Sequence, residues 1–180
     1  MKTYVITLSK VFPVTHPRAG EPTFFEQKLF RSTFKEYCGV DVYKNGWLME
    51  QERPKFEPAK LHTIRANYEL WRKRFDEIEK GEACLSVRQW TGKPYASKQM
   101  EITRLTKEDG IGIQKMEFLA YQDGYRKDAG IWIAGRVIQY DLRELIANND
   151  GLTLQDWDDW FEKYDKTKPL AVIHFTNYRY

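Results

Sequence analysis

Alternating apolar and polar positions predict β-strands in several parts of this chain. The predicted strands are residues 3–8, 84–91, 98–105, 112–121, 130–140 and the largely apolar 170–175, and residues 61–65 are predicted to form a short strand or turn. Successive side chains of a strand point to opposite faces, so alternation is typical of a strand with one buried face. Turn residues predict two hairpins, one closed by Gly92-Lys93-Pro94 and the other by Asp123-Gly124.

Apolar residues at helical spacing predict a helix over residues 68–80. Asn67 can cap its beginning and Gly81 can end it. Capping boxes, in which a hydroxyl and a carboxylate three residues apart bond free N–H groups of the first turn, predict two more helices. The boxes are Thr23 with Glu26 and Thr153 with Asp156, and residues 141–147 form one further predicted helix.

The length and composition favour one folded domain. The chain has 180 residues, 42% of them hydrophobic, which suits a single domain with a substantial core. Strands outnumber helices and lie near both ends, so we expect an α+β fold with a closed or nearly closed β-barrel and helices outside it. The chain contains two cysteines, no apolar run of membrane-spanning length and no signal-peptide pattern at its start. A reduced, cytoplasmic protein is therefore expected.

Charge is unevenly distributed along the chain. Residues 53–74 carry seven basic and two acidic side chains, whereas residues 141–165 carry two basic and eight acidic ones. A basic surface facing a polyanion is typical of nucleic-acid binding. The alternative is a solvated face whose charges balance within the fold.

A short motif, Lys-x-x-Thr-Ile-Arg over residues 60–65, adds a more specific indication. It resembles the stretch that follows the first helix in small bacterial N4-acetylcytidine amidohydrolases of the ASCH group, which are PUA-like β-barrels. Residues 81–106 resemble that family's central hairpin, 150–154 its acidic-x-x-Thr-Leu segment and 172–175 its closing strand. On this resemblance the chain is one PUA-like (ASCH) barrel with flanking helices, an N-terminal extension over about 1–55 and an inserted β-hairpin over about 108–138.

The resemblance implies a catalytic set of Lys60, Thr63 and Asp150. A threonine hydroxyl becomes a nucleophile when a neutral lysine amine takes its proton, and a carboxylate can position the lysine or share a proton. The family has glutamate where this chain has Asp150, one methylene shorter. In a straight strand Lys60 and Thr63 would point to opposite faces, so they can meet only if the chain bends between them.

Five further residues are predicted to bind a ligand. Arg65 could grip a phosphate or base edge from the same cleft, or form a structural ion pair instead. His62 lies inside the motif and could hydrogen-bond a ligand. Arg88, Lys93 and Tyr95 lie on and beside the first hairpin, where basic and aromatic side chains could hold phosphates and stack a base.

Three functions follow from these observations. The first is a domain that binds RNA or a modified nucleoside in a basic cleft. The second is an amidohydrolase that removes an acyl group from an N4-acylated cytidine, and the third is a protein-interaction domain without a ligand. The histidines and cysteines lack metal-ligand spacing, so neither a metal nor another cofactor is expected.

Overall fold

The fold is taken from a computed structural model that describes residues 1–33, 58–118, 130–138 and 140–180. The strands in this part of the chain are β1 (Lys2–Leu8), β2 (His62–Arg65), β3 (Ala83–Trp90), β4 (Gln99–Leu105), β5 (Gly112–Phe118), β6 (Ile131–Ile133), β7 (Arg136–Ile138) and β8 (Leu170–His174). The helices are α1 (Phe25–Thr33), α2 (Tyr68–Glu79), α3 (Tyr140–Asn149) and α4 (Leu154–Phe161).

The described strands form two sheets. The three-stranded sheet has the order β1-β3-β4, with β1 parallel to β3 and β3 antiparallel to β4. The five-stranded sheet has the order β2-β8-β5-β6-β7, with neighbours antiparallel throughout. Helix α2 contacts strands of both sheets, and α3 packs against α4.

The predicted barrel is wrong, although the α+β class is correct. Neither sheet closes on itself, and β1 and β8, expected in one barrel, belong to different sheets. Alternation shows which face of a strand is buried, but it does not show which strand lies beside it. The two segments expected as additions contain β1 and β5, and both are paired strands of these sheets.

The second predicted hairpin also needs correction. Residues 130–140 were expected to form one strand, but the chain turns at Ala134 and Gly135, both with positive φ, and forms β6 and β7. Of these two strands, β6 pairs with β5 and β7 pairs with β6. Glycine adopts such φ values readily, and its neighbour follows it into a tight turn. The Asp123-Gly124 turn lies outside the described residues.

The helix predictions were correct for α2 and α4 and wrong at the start of α1. Asn67 caps α2 by accepting a hydrogen bond from the Leu70 N–H, and Thr153 caps α4 in the same way through Asp156. Thr23 is not a helix cap of this kind, because its hydroxyl accepts from the N–H of Phe25, two residues on, at 3.4 Å, while it donates to the carbonyl of Ser9. None of the helices in the described ranges is both long enough and apolar enough to cross a membrane.

Candidate functional site

The motif residue Lys60 lies just before β2, where hydrogen bonds to two helices fix the backbone of Lys60 and Leu61. The Lys60 N–H donates to the Lys28 carbonyl of α1 at 3.0 Å, and its carbonyl accepts from the Ser32 hydroxyl at 2.7 Å. The next residue, Leu61, donates to the carbonyl of Asn149 at the end of α3, at 2.7 Å. The chain enters β2 under these constraints, and they turn the Lys60 side chain toward Asp150.

Lys60 and Asp150 form a buried ion pair. Lys60 Nζ donates to Asp150 Oδ1 and to the Asp150 carbonyl, both at 2.5 Å, and the two side chains are almost inaccessible to solvent. The ammonium also lies over the Phe25 ring, 4.0 Å from its centroid. Burial lowers the pKa of Lys60 to about 8, against the opposing effect of Asp150, and raises the pKa of Asp150. The two pKa values therefore approach each other, which eases proton transfer within the pair.

Thr63, the predicted nucleophile, is not joined to this pair. It is buried within β2 opposite Ile173 of β8. Among the described residues no side-chain hydrogen bond connects it to Lys60 or Asp150. The structure thus brings together two of the three predicted catalytic residues.

His62 lies beside the ion pair. Its Nδ1 is 4.0 Å from Asp150 Oδ1, and its Nε2 is 2.7 Å from the hydroxyl of Tyr180. The ring is fully buried, and burial lowers its pKa well below the usual histidine value. His62 is therefore a neutral imidazole next to a buried carboxylate.

Arg65 is occupied by backbone carbonyls. Its guanidinium donates to the carbonyl of Ile64 at 3.0 Å and to that of Thr7 at 2.6 Å. Thr7 lies on β1, so the side chain joins the two sheets. This geometry differs from the predicted cleft, in which Lys60 and Arg65 were expected on a basic rim.

The other predicted ligand residues lie together on the β3–β4 hairpin. Arg88 sits at a register shift after Val87, where a bulge redirects side chains. It donates to the Ser86 hydroxyl at 2.8 Å and lies 3.7 Å from the Glu101 carboxylate. Its side chain is 30% exposed.

The tip of this hairpin, residues 91–98, presents an aromatic ring between lysines. Tyr95 is 91% exposed, and its ring centroid is 5.4 Å from that of Trp90. Lys93 and Lys98 are exposed on either side of it in sequence. Ser97 holds the loop in shape, because its hydroxyl accepts from the Gly92 N–H and donates to the Lys93 carbonyl.

The basic stretch of residues 53–74 does not form one open basic surface over residues 58–74, the part of it that the structure describes. Lys60 is paired with Asp150, and Arg72 pairs with Asp76 and Glu79 on its own helix. These charges therefore fit a surface whose charges balance within the fold better than they fit a continuous basic face for nucleic acid.

Sequence reasoning missed Lys28, a second buried lysine. Its Nζ donates to the Gly151 carbonyl at 2.6 Å, and burial, with a contribution from Lys60, lowers its pKa to about 8. The available signal was its position three residues after Phe25, which places it on the buried face of α1. Asn149 and Tyr180, which contact His62 or its partner, carried no sequence signal of this kind.

Comparisons with protein-family models, with curated proteins and with solved structures gave no match to this chain. The resemblance to the ASCH group stays a prediction that depends on the sequence motifs alone.

Proposed function

We propose that this protein binds single-stranded RNA at the tip of the β3–β4 hairpin. The observation that carries the proposal is Tyr95, an almost fully exposed ring held beside Trp90. A base can stack on such a ring, and the exposed Lys93 and Lys98 would contact the phosphates of the bound strand. RNA binding is consistent with the cytoplasmic location expected from the sequence.

The test is fluorescence anisotropy of a labelled ten-nucleotide RNA with three Tyr95 variants. Tyr95→Ala should weaken binding about tenfold, since stacking contributes about 1–3 kcal/mol per base. Tyr95→Phe keeps the ring and should bind like the parent, whereas Tyr95→Leu keeps apolar area without a flat ring and should bind weakly. Equal affinity of all four proteins would reject Tyr95 as the stacking residue.

The lysines are tested by salt dependence. The pair of changes Lys93→Gln and Lys98→Gln should weaken binding and make it less sensitive to salt, because fewer counterions are released from phosphates. Lys163→Gln, on the acidic stretch, removes the same type of charge and serves as the control. A salt dependence that is unchanged in the double variant would argue against phosphate contacts at the tip.

The amidohydrolase remains a second candidate, favoured by the buried contact between Lys60 and Asp150. A lysine with a pKa lowered to about 8 supplies some neutral amine near neutral pH, as a general base requires. Hydrolysis would break the acyl C–N bond of N4-acetylcytidine with water and return a proton to the exocyclic amine.

Release of cytidine from N4-acetylcytidine, followed by chromatography, tests this candidate. Turnover should be present in the parent and absent in Lys60→Met. Thr63→Val keeps the side-chain shape and shows whether the threonine hydroxyl takes part. If a folded parent neither turns over this substrate nor binds RNA, the protein-interaction domain becomes the preferred proposal.

A further inference from the structure

Two arginines and one glutamate lie together on the face of the β3–β4 hairpin that points away from the core. Val87 belongs to the buried core, so alternation along β3 places Ser86 and Arg88 on the opposite face. Across the hairpin, Ser86 pairs with Arg104 and Arg88 pairs with Glu101. An extra residue on β4 at the register shift brings Glu101 and Arg104 to this same face, although they are three positions apart. Ser86, Arg88, Glu101 and Arg104 are called the arginine face below.

The two guanidiniums share a single carboxylate. Arg104 donates to Glu101 Oε1 from Nε at 3.3 Å and to Oε2 from Nη2 at 3.0 Å. Arg88 Nη2 lies 3.7 Å from the same Oε2, which is close enough for attraction but too long for a hydrogen bond. One positive charge therefore stays uncompensated within the arginine face.

The side chain of Arg88 is fixed at its Nε and open at its end. Its Nε donates to the hydroxyl of the buried Ser86 at 2.8 Å, and that hydroxyl donates in turn to the Glu101 carboxylate. Within the described residues this is the one hydrogen bond that the guanidinium makes, so its two Nη groups can bind a ligand. The side chains of Arg88 and Arg104 are 30% and 47% exposed. Such guanidiniums suit a phosphate group, whose oxygens accept two parallel hydrogen bonds from one arginine.

The arginine face adjoins the hairpin tip. Arg88 and Trp90 are two positions apart on β3, so their side chains lie on the same face, about 7 Å apart along the strand. The Trp90 ring contacts Tyr95, with ring centroids 5.4 Å apart. An RNA strand with one base stacked on Tyr95 can therefore continue past Trp90 to Arg88.

We propose that the arginine face is a phosphate site for the RNA strand bound at the tip, with one phosphate held by Arg88 and Arg104. The proposal rests on the RNA binding proposed above and extends that site along the hairpin. In the bound state the phosphate takes the place of the Glu101 carboxylate as the partner of the guanidiniums, because two anions this close repel each other. Glu101 therefore competes with RNA, and removing it should have the opposite effect to removing the arginines.

Anisotropy of the labelled ten-nucleotide RNA tests the two arginines. Combining Arg88→Gln with Arg104→Gln should weaken binding about tenfold and lower the slope of log affinity against log salt by about 0.7, the share of one phosphate on a single strand. Arg72→Gln is the matched control, because Arg72 is a partly exposed arginine that pairs with carboxylates on α2. It should bind RNA like the parent.

The same measurement tests the competition by Glu101. Glu101→Gln should bind the RNA several-fold more tightly than the parent, because no carboxylate then competes with the phosphate. Glu117→Gln removes the same charge from β5, where Glu117 pairs with Lys115, and so corrects for the change in net charge. An affinity of Glu101→Gln no higher than that of Glu117→Gln would overturn the proposal.

The outcomes separate this phosphate site from the stacking site at the tip. If Tyr95→Ala weakens binding and the double arginine variant binds like the parent, the tip is supported and the arginine face is overturned. If the double arginine variant weakens binding with the expected loss of slope and Tyr95→Ala does not, the arginine face is supported and Tyr95 is rejected. A parent without affinity for RNA overturns both.

Circular dichroism shows whether the double arginine variant folds. If it does not, Arg104→Gln decides alone, since this side chain is nearly half exposed. It should weaken RNA binding several-fold, and parental affinity would overturn the proposal.

Discussion

At the scale of single residues, the buried lysines Lys28 and Lys60 differ in how their charge is balanced. Lys60 meets a carboxylate, whereas Lys28 donates to a backbone carbonyl, that of Gly151. Burial without a carboxylate partner leaves the Lys28 ammonium poorly compensated, which disfavours its charged form.

We predict that Lys28 makes stability depend on pH. The folded protein releases this proton near pH 8 and the unfolded chain near 10.5, so between these values the unfolded chain binds more protons. Stability should therefore rise with pH in this window, with a Lys28 share of about 1 kcal/mol per pH unit. Urea unfolding of the parent and of Lys28→Met at pH 8 and 9.5 should show a smaller rise for the variant. Equal rises would contradict the buried position of Lys28.

Lys60 should be needed for stability chiefly because Asp150 is buried beside it. Lys60→Met leaves that carboxylate unpaired and should cost about 3–5 kcal/mol in the free energy of unfolding. Combining Lys60→Met with Asp150→Asn removes both charges and should recover part of the loss. Urea unfolding at neutral pH compares the free energy of unfolding of Lys60→Met with that of the double variant. A double variant as unstable as Lys60→Met would show that the unpaired carboxylate of Asp150 is not the cause of the lost stability.

At the scale of elements, α2 depends on the residue before it. Asn67 has a φ of 63° and caps the helix through its side chain, and α2 buries Trp71, Phe75 and Ile78. We predict that Asn67→Ala costs about 1–2 kcal/mol, because alanine offers no cap and is disfavoured at this φ. Asn67→Gly loses the cap but relieves the backbone, so it should cost only a few tenths of a kcal/mol. Thermal unfolding followed by circular dichroism measures both, and equal losses would contradict the backbone argument.

Elements were predictable where their signals are local. The spacing of Trp71, Phe75 and Ile78 gave α2, and alternation with a turn gave the β3–β4 hairpin. The parallel pairing of β1 with β3 was not predictable, because the strands are distant in sequence and no local residue encodes the partner.

The candidate site, too, was predictable in one part and not in another. The motif resemblance placed Lys60 with Asp150, and their contact is present. The Tyr180 ring over His62 and the buried amine of Lys28 depend on how distant segments pack, which no spacing in the sequence expresses.

At the scale of the whole molecule, the two open sheets are joined by Arg65. The guanidinium starts on β2 and reaches the Thr7 carbonyl of β1 at 2.6 Å, a contact that spans 58 positions in sequence. The sequence alone suggested two uses for this side chain, a ligand contact or a structural role. The structure favours the structural role, since both hydrogen bonds that Arg65 makes within the described residues go to backbone carbonyls.

These two roles predict opposite results for Arg65→Met. If Arg65 joins the sheets, the variant should lose about 1–3 kcal/mol in the free energy of unfolding, because a bond between a charged group and a carbonyl is removed. Its affinity for the ten-nucleotide RNA should stay unchanged. Arg65→Lys, which keeps the charge on a single donor nitrogen, should lose less stability. Urea unfolding and anisotropy on the same preparations separate the roles, since parental stability with weakened RNA binding would make Arg65 a ligand residue and leave another contact to hold the sheets together.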